Sequence, residues 1–278
     1  MNGIDISRWQ NINLENVPCD FVIVKATQGT SYVSPSFKKQ IEQADKLGKL
    51  LGVYHYAGGG GAIPEATHFL TTVKDYIGKA ILVLDWEGEQ NPNFANPEYA
   101  KAFLAYVKQF TGIVPFIYMS KSVCRQYDWN PEYPLWCAQY KNQQQTGYQD
   151  EPWTDKKGFG NWADCKILQY SSKGQLPGYQ GNLDLDKAYI TAEEWKKYAR
   201  GDIFTNDPFL PTLRKGDVCE EVRSWQTFLN LHGERYNCGK PDGIFGDKTE
   251  KAVIKWQQDH GMEAGIIGQK TWETVNDG

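Results

Sequence analysis

FVIVKATQGTSYVSPSFKKQIEQADKLGKLLGVYHYA, residues 21–57, holds two short apolar runs separated by an amphipathic stretch. FVIVKAT (21–27) and LLGVYHYA (50–57) are rich in β-branched and aromatic residues over strand-like lengths, as buried strands are. Between them, residues 35–48 read as a helix opened by Ser34-Pro35 and stopped by Gly48. Strand, helix and strand at this pace make a parallel βαβ unit.

The pattern extends in both directions. GIDIS (3–7), AILVLDW (80–86), PFIYMS (115–120), PLWCAQY (134–140) and KILQYSS (166–172) are further strand candidates. Helical patterns run from Pro64 to about Ile77 and from about Pro97 to Phe110. Seven or eight strands in about 200 residues favour a closed barrel over an open sheet, so the expected class is α/β, a TIM-like β/α barrel. Residues 130–190 show strands without clear helices between them, which predicts an irregular barrel there. GDIFTNDPFLPT (201–212) loses periodicity, carries two prolines and reads as a linker between a domain at 1–200 and a second at 213–278. In the second, Val218, Val222, Trp225, Phe228 and Leu229 fall at helical spacing. GIFGDKT (243–249) returns as GIIGQKT (265–271), each copy followed by a helical stretch, EKAVIKWQQ and WETV. Thr249 and Thr271 are placed to cap or start those helices. A small all-α, three-helix domain is expected.

Composition narrows the function. The 278 residues include 30 Lys and Arg against 34 Asp and Glu, a net charge of −4, so there is no basic excess to recruit nucleic acid. No apolar run reaches the ~18–20 residues of a membrane span, and no membrane insertion is expected. The 10 Trp and 16 Tyr suit stacking on sugars, or simply fill cores. Six dispersed cysteines without a CxxC, and four histidines without an HExxH, predict no metal and no cofactor. Free, buried thiols are expected, with Cys219 and Cys238 the pair to check for a bond. MNGIDISRWQ at the start has neither a basic nor an apolar leader region, so no secretion signal is expected.

LVLDWEG (82–88) carries the sharpest chemical signal. On an extended strand Asp85 and Glu87 share a face with Trp86 opposite, their Cα atoms about 6.5–7 Å apart. Two partly desolvated carboxylates at that distance cannot both ionise comfortably, so one holds a proton near neutrality. Glycoside cleavage needs such a pair, one acid for the leaving oxygen and one anion near the developing cation. The plainer alternative is an ion-paired or solvated DxE. Asp5 in GIDIS, and Asp184 and Asp186 in GNLDLDKAY, occupy comparable strand positions. At a barrel mouth such acids converge. Of the last two, Asp184 is the site candidate, and whichever faces away from the barrel is ordinary. Tyr54, Tyr56, Tyr118, Trp136, Tyr170 and Gln169 lie on strands that end near the mouth and are candidate substrate contacts, or core. Gly58–Gly61 lacks the Lys-Ser/Thr of a phosphate loop and reads as a flexible rim to the cleft or as a run without function.

Taken in order, GIDISRWQ, VKATQGTSYVSPSF, GVYHYA, LVLDWEG, FIYMS, PLWCAQY and LQYSSKGQLPGYQGNLDLDKAY resemble the glycoside hydrolase family 25 muramidases, over residues 1–195. The resemblance implies an irregular β/α barrel that cleaves the β-1,4 bond between N-acetylmuramic acid and N-acetylglucosamine in bacterial peptidoglycan. It puts the acid on Glu87, the second carboxylate on Asp85, and the first-strand and last-segment aspartates on Asp5 and Asp184. Gln28, where relatives often carry a glutamate, and the tetraglycine loop depart from the pattern. Residues 213–272 resemble the peptidoglycan-binding domain of wall hydrolases, which implies a tether that raises local substrate concentration. Without a secretion signal, such a hydrolase is expected in a host cytoplasm until the membrane is permeabilised, as a phage endolysin is. A chitinase-like hydrolase and a non-catalytic wall-binding protein are the alternatives. The carboxylate spacing exceeds the ~5–5.5 Å of a direct nucleophile and lies nearer the inverting range, whereas the resemblance implies net retention. Asp85 either orients the substrate's own acetamido group for attack or stabilises the cation directly.

Overall fold

The computed structural model describes residues 1–201, 212–268 and 271. The chain divides into two compact units, residues 1–108 with 113–204, and residues 109–112 with 205–278. Apart from its two ends, the expected linker lies outside the described residues.

Nine strands build the first unit: β1 Asn2–Ile6, β2 Phe21–Gln28, β3 Tyr32–Val33, β4 Leu50–Tyr56, β5 Ala80–Asp85, β6 Phe116–Ser120, β7 Leu135–Ala138, β8 Ile167–Gly174 and β9 Leu183–Ala188. Their order is β1-β9-β8-β7-β6-β5-β4-β2-β3, and a β1–β2 pairing closes an eight-stranded barrel with β3 as a hairpin extension of β2. Neighbours are parallel around the ring except at β9, which runs against both β8 and β1. That reversal, and the absence of a helix between β7 and β8 among the described residues, is the irregularity expected for residues 130–190.

Helices α1 (Phe37–Lys46), α2 (Ala62–Val73) and α3 (Pro97–Thr111) follow the strands as their amphipathic spacing predicts, and α4 is a single turn at Lys121–Cys124. A further helix, α5 (Ala192–Arg200), was not anticipated. Thr191 and Glu194 form a reciprocal capping box at its start. Trp195, fully buried, packs its ring 4.6 Å from Phe21 and donates its indole N–H to the Leu51 carbonyl at 2.9 Å. Phe21 and Leu51 lie at the starts of β2 and β4, so α5 plugs the end of the barrel opposite the mouth.

Strand parity decides what faces the interior. The register runs Asp5–Ile23–Gly52, Lys25–Tyr54–Val83, Tyr56–Asp85–Tyr118–Trp136–Ile167, and Gln169–Asp186–Gly3. The lower layers are apolar, with Phe21, Ile23, Ile81, Val83, Phe116 and Ile167 fully buried. The upper layer carries the polar side chains.

The second unit packs α6 (Glu220–Leu231) and α7 (Asp247–Asp259) around Val222, Trp225, Phe228, Phe245, Val253 and Trp256. The third helix expected at WETV falls outside the described residues. Two expectations change here. Val218 precedes α6, bridges Ile244 and is largely exposed, so it is not part of the helical face. Thr249 lies in the first turn of α7, which begins at Asp247 after the cap Gly246, so of the two expected roles it starts the helix and does not cap it. It is buried instead and accepts a hydrogen bond from Gln226 Nε2 at 2.8 Å. The internal repeat explains this. Gln226 Nε2 also donates to the Ile244 carbonyl while its Oε1 accepts from Gly243 N–H. Gln257 makes the equivalent bonds to Ile266, Gly265 and Thr271. Each Gly-x-x-Gly turn is therefore stapled by one buried glutamine. All six cysteines are free, and only Cys219 is not buried. Among the described residues no helix is long and apolar enough to cross a membrane.

Candidate active site

β5 ends at Asp85, and the backbone continues extended, with Trp86 N–H donating to the Tyr118 carbonyl at 2.9 Å. Alternation then sends Trp86 outward, where it is fully buried and packs 5.8 Å from both Phe94 and Tyr99. Asp85 turns inward and is buried, and Glu87 lies half-buried beyond the strand end. Burial raises the Asp85 carboxyl well above its ordinary range, and the neighbouring Glu87 adds to this. Burial also raises Glu87, with Glu89 adding to it. Lys25 opposes both shifts. One oxygen of Asp85, Oδ1, is buried without a hydrogen-bond partner.

The other acids arrive from β1 and β9. Because β9 is antiparallel, its N-terminal end reaches the mouth, and Asp184 pairs in register with Asp5. Asp184, partly buried, is pushed up to about 6 by burial and by Glu87. Asp186, two residues on, also points inward but lies deeper and is fully buried. It accepts from Trp136 Nε1 at 2.8 Å through Oδ1, and its Oδ2 is buried without a hydrogen-bond partner. Burial raises its carboxyl well above the ordinary range, as burial and the neighbouring Asp184 and Asp186 raise Asp5. Neither aspartate of β9 faces away from the barrel, contrary to the expectation for one of them. Asp5 Oδ2 accepts from Gln169 Nε2 at 2.7 Å, and Gln169 Oε1 accepts from the hydroxyls of Tyr118 and Tyr140. The Tyr54 hydroxyl lies in the field of Asp5, Asp85, Asp184 and Glu87 together. The arrangement brings all four predicted acids to one mouth.

The candidate substrate contacts divide. Tyr56 lines the open mouth, donates its hydroxyl proton to the Glu89 carbonyl at 2.6 Å, and carries the Lys25 ammonium 4.4 Å over its ring. Tyr54, Tyr118 and Trp136 are buried beneath the acids, with Trp136 4.5 Å from Tyr118. They form the floor rather than a stacking surface. Gln169 is also floor, its amide bonded to Asp5 and two tyrosines. Tyr170 does not join the mouth. It alternates to the other face of β8 from Gln169 and accepts from Gln149 N–H at 3.2 Å. Among the described residues no cluster of His, Cys, Asp and Glu is arranged to hold a metal ion.

The glycine run is not a loose rim. Glu65, fully buried on α2, accepts from Gly58 N–H at 3.0 Å and Gly60 N–H at 2.7 Å. Its other contact is His55 Nε2 at 2.9 Å, and His55 Nδ1 meets Thr27 Oγ1 at 2.8 Å. Gly59 has φ +77, and a Cβ on Gly58 would stand 2.8 Å from Gly29 Cα. A side chain fits at neither position.

The sequence model of glycosyl hydrolases family 25 matches residues 4–179, more than half of the chain. The chain belongs to glycosyl hydrolase family 25. A peptidoglycan binding domain model matches residues 220–275 of this family 25 hydrolase. Its relatives include the uncharacterized protein YegX of Escherichia coli O157:H7, 30% identical over 219 residues and covering 72% of this chain and 74% of YegX. The autolytic lysozyme of Clostridium acetobutylicum is 24% identical over 270 residues, covering 94% of this chain and 74% of that protein. Among solved structures, the lysozyme of Streptomyces coelicolor superposes with a TM-score of 0.58 at 22% identity, covering 72% of this chain and 97% of that one, a likeness of fold. The family 25 barrel also holds residues that sequence reading passed over: Lys25 beside the acid pair and Tyr140 behind Gln169. The signal for Lys25 was present in parity, two residues after the inward Ile23.

Proposed function

We propose that this hydrolase is an N-acetylmuramidase, cleaving the β-1,4 bond between N-acetylmuramic acid and N-acetylglucosamine in bacterial peptidoglycan. The observation that carries the reading is the buried, unpartnered Oδ1 of Asp85 next to a Glu87 whose carboxyl is raised. A desolvated acceptor is costly unless substrate supplies the donor, and a 2-acetamido N–H is such a donor. In this mechanism Glu87 gives its proton to the glycosidic oxygen as the bond to the anomeric carbon breaks. The acetamido carbonyl oxygen, oriented by its N–H bond to Asp85, closes on that carbon, and water later opens the ring with Glu87 taking the water proton. Two displacements retain configuration. Asp5 and Asp184 contact the sugar, and Gln169 positions Asp5.

The peptidoglycan binding domain supports a wall polymer as substrate. We also place the enzyme in lysis from the cytoplasmic side after membrane permeabilisation, as a phage endolysin acts. Cells expressing it in the cytoplasm then clear only when the membrane is breached, and clearing without a breach refutes this setting. Glu87→Gln tests the chemistry: lysis of bacterial walls is lost while binding to them persists. Mass spectrometry of the wild-type digest reads the bond, since a new reducing end on muramic acid supports muramidase action and one on glucosamine overturns it.

A further inference from the structure

Beside the acids the mouth widens into a cavity of about 590 Å³ whose walls come from the segments following β1, β2, β4 and β5. Its chemistry differs from that of the centre. The centre gathers carboxylates, whereas this flank carries two cations, Arg8 and Lys25, with Glu89 as the one acid in its lining. Lys25 is engaged: its ammonium donates to Gln28 Oε1 at 2.8 Å and lies over Tyr56. Arg8 is not. Its guanidinium lies 4.4 Å over the Trp9 ring and 5.9 Å from that of Tyr32. Among the described residues no carboxylate forms an ion pair with it. Aromatic faces position a guanidinium plane while leaving its edge donors free. Trp9 itself is 75% exposed, which is uncommon for the largest apolar side chain unless something covers it.

The opposite rim is also set in advance. Gln28 Nε2 donates to Gln90 Oε1 at 2.9 Å, tying the segments after β2 and β5 together. Gln90 is the one non-glycine residue with positive φ among the described residues, at +58. Such a conformation persists when its surroundings hold it.

We propose that this cavity is a subsite for a carboxylate carried by the muramic acid arm of the glycan, with Arg8 receiving it and Trp9 and Tyr32 holding the guanidinium in place. The proposal rests on the muramidase reading and deepens it. A chitin-like strand has no such anion, so Arg8 becomes a determinant of specificity between two N-acetylated polymers. The carboxylate has two sources, the lactyl group of a peptide-free strand and the stem peptide of an intact one.

The test compares peptide-free strands, peptide-bearing strands and the same strands with carboxyls methyl-esterified, using the full chain. Wild type prefers the free acid to its ester, and Arg8→Gln lowers that preference about tenfold in kcat/KM, through KM. Arg8→Lys recovers only part, because it keeps charge and loses the fork. Preference lost on peptide-free strands identifies the lactyl carboxylate, and loss only on peptide-bearing strands identifies the stem peptide. If Arg8→Gln slows acid and ester equally, or neither, the subsite is refuted while muramidase action stands. If wild type cleaves no muramic strand, the functional reading fails and takes this one with it.

Discussion

Asp184→Asn should make the catalytic unit more stable at neutral pH while impairing it as an enzyme. Asp184 is pushed up to about 6 from an ordinary 3.8, first by burial and then by Glu87. A carboxyl raised in the folded state binds more protons there than in the unfolded chain across that window. Stability from this group is therefore full below 3.8 and is lost as pH rises through 6. Each pH unit of difference corresponds to about 1.4 kcal/mol, and partial exposure screens some of it, so the penalty at neutrality is about 2–3 kcal/mol. Asparagine keeps the shape and cannot ionise. In a unit of this size the gain corresponds to roughly 5–10 °C in Tm. Scanning calorimetry at pH 4.5 and 7.5 separates the terms, because the gap between variant and wild type should widen by about 2 kcal/mol over that interval. A gap independent of pH, or an asparagine variant that melts below wild type at pH 7.5, would refute the claim that the mouth stores unfavourable charge.

Two other perturbations probe neighbouring features. Lys25→Met removes the cation that opposes the raising of both Asp85 and Glu87, so both limbs of the kcat/KM profile should move to higher pH by about one unit, and an unmoved profile contradicts it. Gln226→Ala strands the buried Gly243 N–H and frees the turn before α7, costing about 2–4 kcal/mol. In a module this small that suffices to abolish its melting transition near physiological temperature, which calorimetry reads directly.

Strands were legible because their burial is periodic and their residues β-branched, and seven candidates coincide with observed strands. α5 was not, because TAEEWKKYAR is mostly polar and its single plugging residue, Trp195, gives no periodicity over nine residues. Its capping box, Thr191 with Glu194, was the readable sign. Gly58–Gly61 was misread because glycine signals both freedom and confinement. Only contact with Glu65 and Gly29 tells them apart, and those partners lie five residues or more away in sequence. Gln226 and Gln257 follow Trp225 and Trp256, a repeated Trp-Gln pair that accompanies the repeated turns and would have announced the staple. Tyr170 neighbours Gln169 on β8, and adjacent residues of a strand cannot both face inward, so only one of the two could reach the mouth.

The two aspartates of β9 show how topology turns one pattern into two roles. Parity alone puts both inside the barrel, and strand direction decides which is functional. Running against β1, β9 sets Asp184 opposite Asp5 at the mouth and Asp186 opposite Gly3, one layer down. Gly3 there makes room for the Phe21 ring, which would stand 2.3 Å from a Cβ on it. A fully buried aspartate is tolerated at that depth because Trp136 donates to Oδ1, while Oδ2 has no hydrogen-bond partner and burial raises the carboxyl well above its ordinary range, which favours the neutral form. Burial first, and then the nearby charges of Asp184 and Asp186, raise Asp5 well above its ordinary range and keep it from adding a full negative charge to a mouth that already holds Asp85, Asp184 and Glu87. The deep aspartate thus acts on Asp5 from below without touching solvent. A parallel β9 would have sent Asp184 to the plugged end, against Trp195, where no sugar could reach it.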